Sequence, residues 1–141
     1  GDRVTVLDYS VVVSSQVDAG AAIGPMAHVR PDSTVGPDAR IGNFVETKNA
    51  RLGPKVAAGH LTYLGDAEVG AGTNVGAGVI TCNYDGFVKH RTQIGAGVFV
   101  GSHTTLVAPV SVGDGALTAA GSVITREVPA DALGVGRARQ E

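Results

Sequence analysis

Five side chains in this sequence are able to act as a base, a nucleophile or a soft metal ligand near neutral pH: His28, His60, His90, His103 and the lone Cys82. An imidazole suits proton transfer there because its unperturbed pKa is about 6.5. A zinc centre built on histidines needs three of them with two closely spaced, and these four include no close pair, so no metal is expected. Cys82 has no histidine beside it in sequence to generate a thiolate. It reads as a small structural residue rather than a nucleophile. Whether any of the four imidazoles can serve as a base depends on where its ring points.

A period of six decides that. Val11, Val17, Ile23, Val29, Val35 and Ile41 recur at six-residue intervals, as do Ile94, Val100, Leu106, Val112, Thr118 and Ile124. The residue four places after each is small or β-branched, as at Ala21, Ala27, Ser33, Ala39, Val98, Thr104 and Ser122. Neither a helix, with 3.6 residues per turn, nor a strand, with its alternation of two, has this period. A stacked coil of short flat strands does, with the anchor pointing inward and glycine easing the turns. The expected fold is therefore all-β, a parallel β-helix of about seven coils at three hexads per turn, over residues 1–127.

Composition agrees. Aromatic residues make up 4% of the chain, Trp is absent and 21 of 141 residues are Gly, which suits a prism too narrow for large rings. Net charge is −2 with no run of Lys or Arg, so neither nucleic acid nor a membrane surface is expected as a partner. A single cysteine forms no intramolecular disulfide, which makes a reducing, cytoplasmic setting the default. No apolar run approaches the roughly 18 residues needed to cross a bilayer, and no signal peptide is evident. The chain starts in what looks like mid-repeat and has Met26 as its only methionine, so it reads as an excised piece.

The period slips at three places. Thr47 to Leu52 and Leu64 to Val69 are five residues apart, and Val75 to Ile94 are nineteen apart. The last gap holds residues 82–93, CNYDGFVKHRTQ, a polar stretch that reads as a loop leaving the coil. Residues 128–141 contain Pro129, lose the period and read as a C-terminal tail. His60 lies between the two short slips at neither the anchor nor the small position, so its imidazole is expected to face outward.

Three segments carry a resemblance: GNFVETKNARLG at 42–53, AGHLTYLGDAEVG at 58–70 and NVGAGVITCNYDG at 74–86. They are similar to the hexapeptide-repeat acyltransferases, and within them to the acetyltransferase domain of the bifunctional bacterial enzymes that make UDP-N-acetylglucosamine. The resemblance implies a left-handed coil, against the right-handed rule for parallel crossovers. It implies acetyl transfer from acetyl-CoA to glucosamine-1-phosphate for cell-envelope synthesis, by a cytoplasmic homotrimer. Uridylyl transfer is not expected of this chain, which lacks the glycine-rich nucleotide loop.

The resemblance also assigns residues. His60 matches the general base and Glu46 the group that orients it. Arg30 and Lys48 match a phosphate-binding pair, Tyr63 and Asn74 residues that bond the sugar, and Lys89 a basic residue reaching in from a neighbouring subunit. Ala77, Asn83, Tyr84, Ser102, Ala120 and Arg137 match positions along acetyl-CoA. Another acceptor amine or hydroxyl, or a non-catalytic scaffold, are the alternatives. A scaffold face would show regular exposed Thr or apolar rows, whereas the outward positions here are irregular and polar.

Overall fold

The computed structural model describes residues 1–141. There is no helix, and every pairing between named strands is parallel. Most strands are two or three residues long; Arg40–Lys48 and Ala57–Gly65 run for nine. They stack as a left-handed β-helix of about seven turns with three faces.

Each face contributes one inward column. The first contains Val6, Ile23, Ile41, Ala58, Val75, Val100 and Thr118. On the second stand Val12, Val29, Thr47, Leu64, Thr81, Leu106 and Ile124. The third holds Val17, Val35, Leu52, Val69, Ile94 and Val112. The columns meet in one narrow core of 26 buried apolar residues, with β-branched side chains suited to flat short strands. A valine or isoleucine buried this way stabilises by roughly 1.5–3 kcal/mol. The prism is therefore rigid enough to carry side chains on its outer surface at fixed positions.

Threonine stands inward where hydroxyls can pair across the core. Thr47 Oγ1 donates to Ser33 Oγ at 3.2 Å, Thr104 and Thr118 share a bond of 2.9 Å, and Gly65 N donates to Thr81 Oγ1 at 2.8 Å. Each bond offsets the cost of taking a hydroxyl out of water. Glycine after the first-face anchor has a steric reason: a Cβ on Gly42 would run into the Gly59 carbonyl on the next coil.

Three boundaries differ from expectation. Val11 pairs with His28, while Val12 pairs with Val29 and takes the inward column, both being exposed at this end of the coil. A further five-residue step, Val12 to Val17, hides that shift, because Val11 and Val17 happen to be six apart. The excursion is shorter than 82–93: Ile80–Cys82 and Thr92–Ile94 are both strands in register with Thr105–Val107 and Val110–Val112. The loop proper is 83–91. Residues 128–136 belong to the coil. Val128 is buried and bridges Val112, Leu133–Gly134 pairs with Leu117–Thr118, and Val123 N donates to the Gly136 carbonyl at 3.0 Å. Gly134 stands at the inward position there, so no apolar side chain marks the repeat.

Candidate active site

The two nine-residue strands carry the site because they turn the corner between the first and second faces without a break. The bend falls at Phe44 and Leu61, with φ of 59° and 48°. The register sets Asn43 beside His60 and Glu46 beside Tyr63. His60 is two residues past the inward Ala58, and it is exposed, as its position predicted.

The same offset recurs on the coils above. Ala77 follows Val75 by two, Ser102 follows Val100, and Ala120 follows Thr118, so His60, Ala77, Ser102 and Ala120 form one column along the corner. Backbone bonds one residue further on lock the column: Gly78 N to Leu61 O at 2.9 Å, His103 N to Ala77 O at 2.8 Å and Gly121 N to Ser102 O at 2.8 Å. The Arg137 stem lies beside Gly121, 3.8 Å from where a Cβ would stand, at the upper end. Beside the column runs a groove of about 490 Å³ whose walls include His60, Asn74, Ala77 and Arg40, with open space over Gly59. A groove of that size accommodates a small ligand with its polar groups at the rim.

Around the corner, on the second face, cationic side chains converge. Arg30 and Lys48 each follow an inward residue, Val29 and Thr47, on adjacent coils. Arg30 Nη1 donates to Glu46 Oε1 at 2.8 Å. The base of the loop ties back to Asp66 through Asn83, and Asp66 N donates to the Lys48 carbonyl at 3.0 Å, which brings Lys89 near enough to Lys48 for their charges to interact. That interaction lowers the Lys48 pKa, with desolvation and Arg30 adding to the effect while Asp66 opposes it.

Asp66 anchors this cluster. Its oxygens accept from Asn49 Nδ2 and Asn83 Nδ2, each at 2.6 Å. Burial pushes its carboxyl upward, but those two bonds and the charges of Lys89 and Lys48 outweigh it and hold the pKa below the ordinary value. Asn83 Nδ2 also donates to Tyr63 Oη at 3.4 Å, and the Tyr63 ring covers Gly65, where a Cβ would meet the phenol oxygen.

The assigned residues therefore fall into two groups. His60, Asn74, Ala77, Ser102, Ala120 and Arg137 lie along the corner and its groove. Arg30, Glu46, Lys48, Tyr63, Asn83 and Lys89 gather on the second face. His60 and Tyr63 are three residues apart on one strand, on either side of the bend at Leu61.

Several placements depart from expectation. Glu46 was expected to orient the His60 ring; its carboxylate instead holds Arg30, because the register aligns Glu46 with Tyr63 and gives His60 the neighbour Asn43. Lys89 was expected to reach in from a neighbouring subunit; within its own chain it lies near Lys48. Asn83 was expected along the coenzyme but is committed to Asp66 and Tyr63. Tyr84 sits in the loop, its hydroxyl donating to the Gly86 carbonyl at 2.7 Å, and does not join the corner column. Asn43, Asn49, Arg40 and Asp66 were missed. The coil length of 17 residues would have found Asn43, which precedes His60 by that number.

Residues 91–126 match the profile of the bacterial transferase hexapeptide family, six repeats. Over 136 residues the chain is 54% identical to the bifunctional protein GlmU of Streptococcus thermophilus, a match covering 96% of this chain and 30% of that protein. The chain belongs to the hexapeptide-repeat transferases. It spans about 30% of the length of the GlmU relatives it matches. Two solved structures share the fold. Perosamine N-acetyltransferase from Caulobacter crescentus, in complex with CoA and GDP-perosamine, superposes with a TM-score of 0.73 at 21% identity, covering 82% of this chain and 53% of that one. AntD, an N-acyltransferase from Bacillus cereus in complex with dTDP-4-amino-4,6-dideoxyglucose and coenzyme A, gives 0.67 at 16% identity, covering 90% and 80%.

Proposed function

We propose that this chain transfers the acetyl group of acetyl-CoA to the amine of glucosamine-1-phosphate, as the acetyltransferase part of a GlmU-like protein, in the cytoplasm and as a homotrimer. The similarity to GlmU over 96% of the chain supports the reaction. One arrangement carries the reading: an outward His60 in a groove, with Lys48, Lys89 and Arg30 converging around the corner of the same prism.

His60 accepts the proton of the acceptor amine as its nitrogen attacks the thioester carbonyl. The C–N bond forms, the C–S bond breaks, and the coenzyme leaves as a thiolate that the imidazolium reprotonates. Lys48 and Lys89 bind the sugar phosphate as point charges, and Arg30, held by Glu46, completes the positive end. Tyr63 and Asn74 bond the sugar between the two. Ala77, Ser102 and Ala120 leave room along the corner for the pantetheine arm, and Arg137 offers a charge to a coenzyme phosphate. No acyl-enzyme is formed, and no metal takes part.

The deciding experiment follows thiol release from acetyl-CoA with glucosamine-1-phosphate, glucosamine and nucleotide-linked amino sugars as acceptors. Strong preference for glucosamine-1-phosphate is expected. Preference for a nucleotide-linked amine, or no turnover with any acceptor, rejects the assignment.

A further inference from the structure

The loop at 83–91 closes as a tight hairpin. Tyr84 and Lys89 form an antiparallel bridge, and Asp85 N donates to the Val88 carbonyl at 3.2 Å. One carboxylate organises its tip. Asp85 Oδ1 accepts from the backbone N–H groups of Phe87 and Val88, both at 2.8 Å, and Oδ2 meets His90 Nε2 at 2.7 Å. Phe87 is 90% exposed, so the tip has no apolar core of its own. The base of the loop is held separately, by Asn83 on Asp66 and by His90 N on the Asn83 carbonyl at 2.8 Å.

Lys89, between Val88 and His90, is what this hairpin delivers to Lys48. Two ammonium groups near one another repel each other. The hydrogen bonds of the hairpin and of its base oppose that repulsion.

We propose that Asp85 and His90 form a latch that keeps the hairpin closed and Lys89 converged on Lys48, so that the phosphate end of the site is assembled before the sugar phosphate arrives. The inference rests on the reading that Lys48 and Lys89 bind that phosphate. Both latch residues act through Lys89 and are positioning residues. A preformed anion site avoids the cost of ordering a loop at the moment of binding.

The test uses the full chain with His90→Ala, measuring turnover against both substrates and titrating inorganic phosphate by calorimetry. The pair is partly exposed, so the expected rise in KM for glucosamine-1-phosphate and in Kd for phosphate is about two- to five-fold. Turnover number and KM for acetyl-CoA stay unchanged. His90→Gln, which retains an N–H donor, recovers part of the loss. In a Lys89→Ala background, His90→Ala has no further effect, an outcome a general weakening of the coil would not give. Unchanged KM and Kd in a variant of unchanged Tm, an equal loss of acetyl-CoA affinity, or additive losses in the double variant overturn the latch. If the unaltered chain binds phosphate yet does not acetylate glucosamine-1-phosphate, the substrate reading fails and the titrations alone decide the latch. If it binds no phosphate, both fail.

Discussion

Lys48 and Lys89 are brought together through Asp66, whose N–H donates to the Lys48 carbonyl at 3.0 Å and whose carboxylate accepts from Asn83 at the base of the loop, and the Lys48 pKa is lowered by its interaction with Lys89. Asp66, fixed by Asn49 and Asn83, supplies part of the compensation from beneath.

The lowered pKa has a sign that can be measured. An anion favours the charged lysine, so affinity is present while Lys48 is protonated and is lost as pH rises through its lowered value. Inorganic phosphate remains a dianion throughout the alkaline range. Its Kd should therefore rise before the pH reaches the ordinary lysine value of about 10.4. Lys48→Arg, with a guanidinium that stays charged, should bind phosphate with a flat profile over the same range. A flat profile in the unaltered chain would show that the two ammonium groups do not share the site.

His60→Ala tests the base. Removing a general base costs on the order of 10² to 10⁴ in turnover. The proposed coenzyme groove along the corner is otherwise intact in that variant, so acetyl-CoA affinity should hold within about two-fold. Cys82→Ser provides the contrast. The thiol is half-buried and is held by no histidine, so its loss should leave turnover near normal. A dead Cys82→Ser enzyme would demand an acyl-cysteine intermediate in place of direct transfer.

Acid should open the loop. Hydrogen bonds from Val88, His90 and Phe87, in that order, hold the Asp85 pKa down to about 2. A depressed carboxyl contributes stability that is fully present above its unfolded value, about 3.9, and is lost as pH falls through the folded one. Tyr84 and Phe87 ring resonances should therefore lose their loop dispersion between about pH 4 and pH 2. Resonances of core valines such as Val35 and Val100, which carry no titrating partner, should persist over that window. Loss of both sets together would mean that the loop and the prism unfold as one unit.

How much of this was readable in the sequence depended on what the period reports. The inward columns were legible because a β-branched anchor recurs at Ile23, Val35, Ile94 and Val112, and the outward aim of His60 followed from phase alone. Where the inward residue is not apolar, the signal vanished: Gly134 hid the last coil, and the five-residue step after Val12 disguised the first. The cation cluster was legible only as residue types. Its contacts depend on a hairpin folding back across the second face, and no local period encodes where Lys89 lands. The five-residue step shortens that coil to 17 residues, so Asn43 and not Glu46 stands beside His60.

Glu46 gives the sharpest discrimination between the two placements. If the carboxylate oriented the imidazole, Glu46→Gln would lower turnover and shift the pH profile of kcat, as loss of a tautomer-fixing partner does. The structure instead puts Glu46 Oε1 on Arg30 Nη1 at 2.8 Å, both half-exposed. Glu46→Gln should then loosen Arg30, raising KM for glucosamine-1-phosphate by about two- to five-fold, the range of a solvent-exposed ion pair. The pH profile of kcat should not move. Arg30→Ala should produce the same KM change, and the double variant no more than either alone. A shifted kcat profile in Glu46→Gln with an unchanged sugar-phosphate KM would return Glu46 to the side of His60, through a rearrangement of the corner on binding.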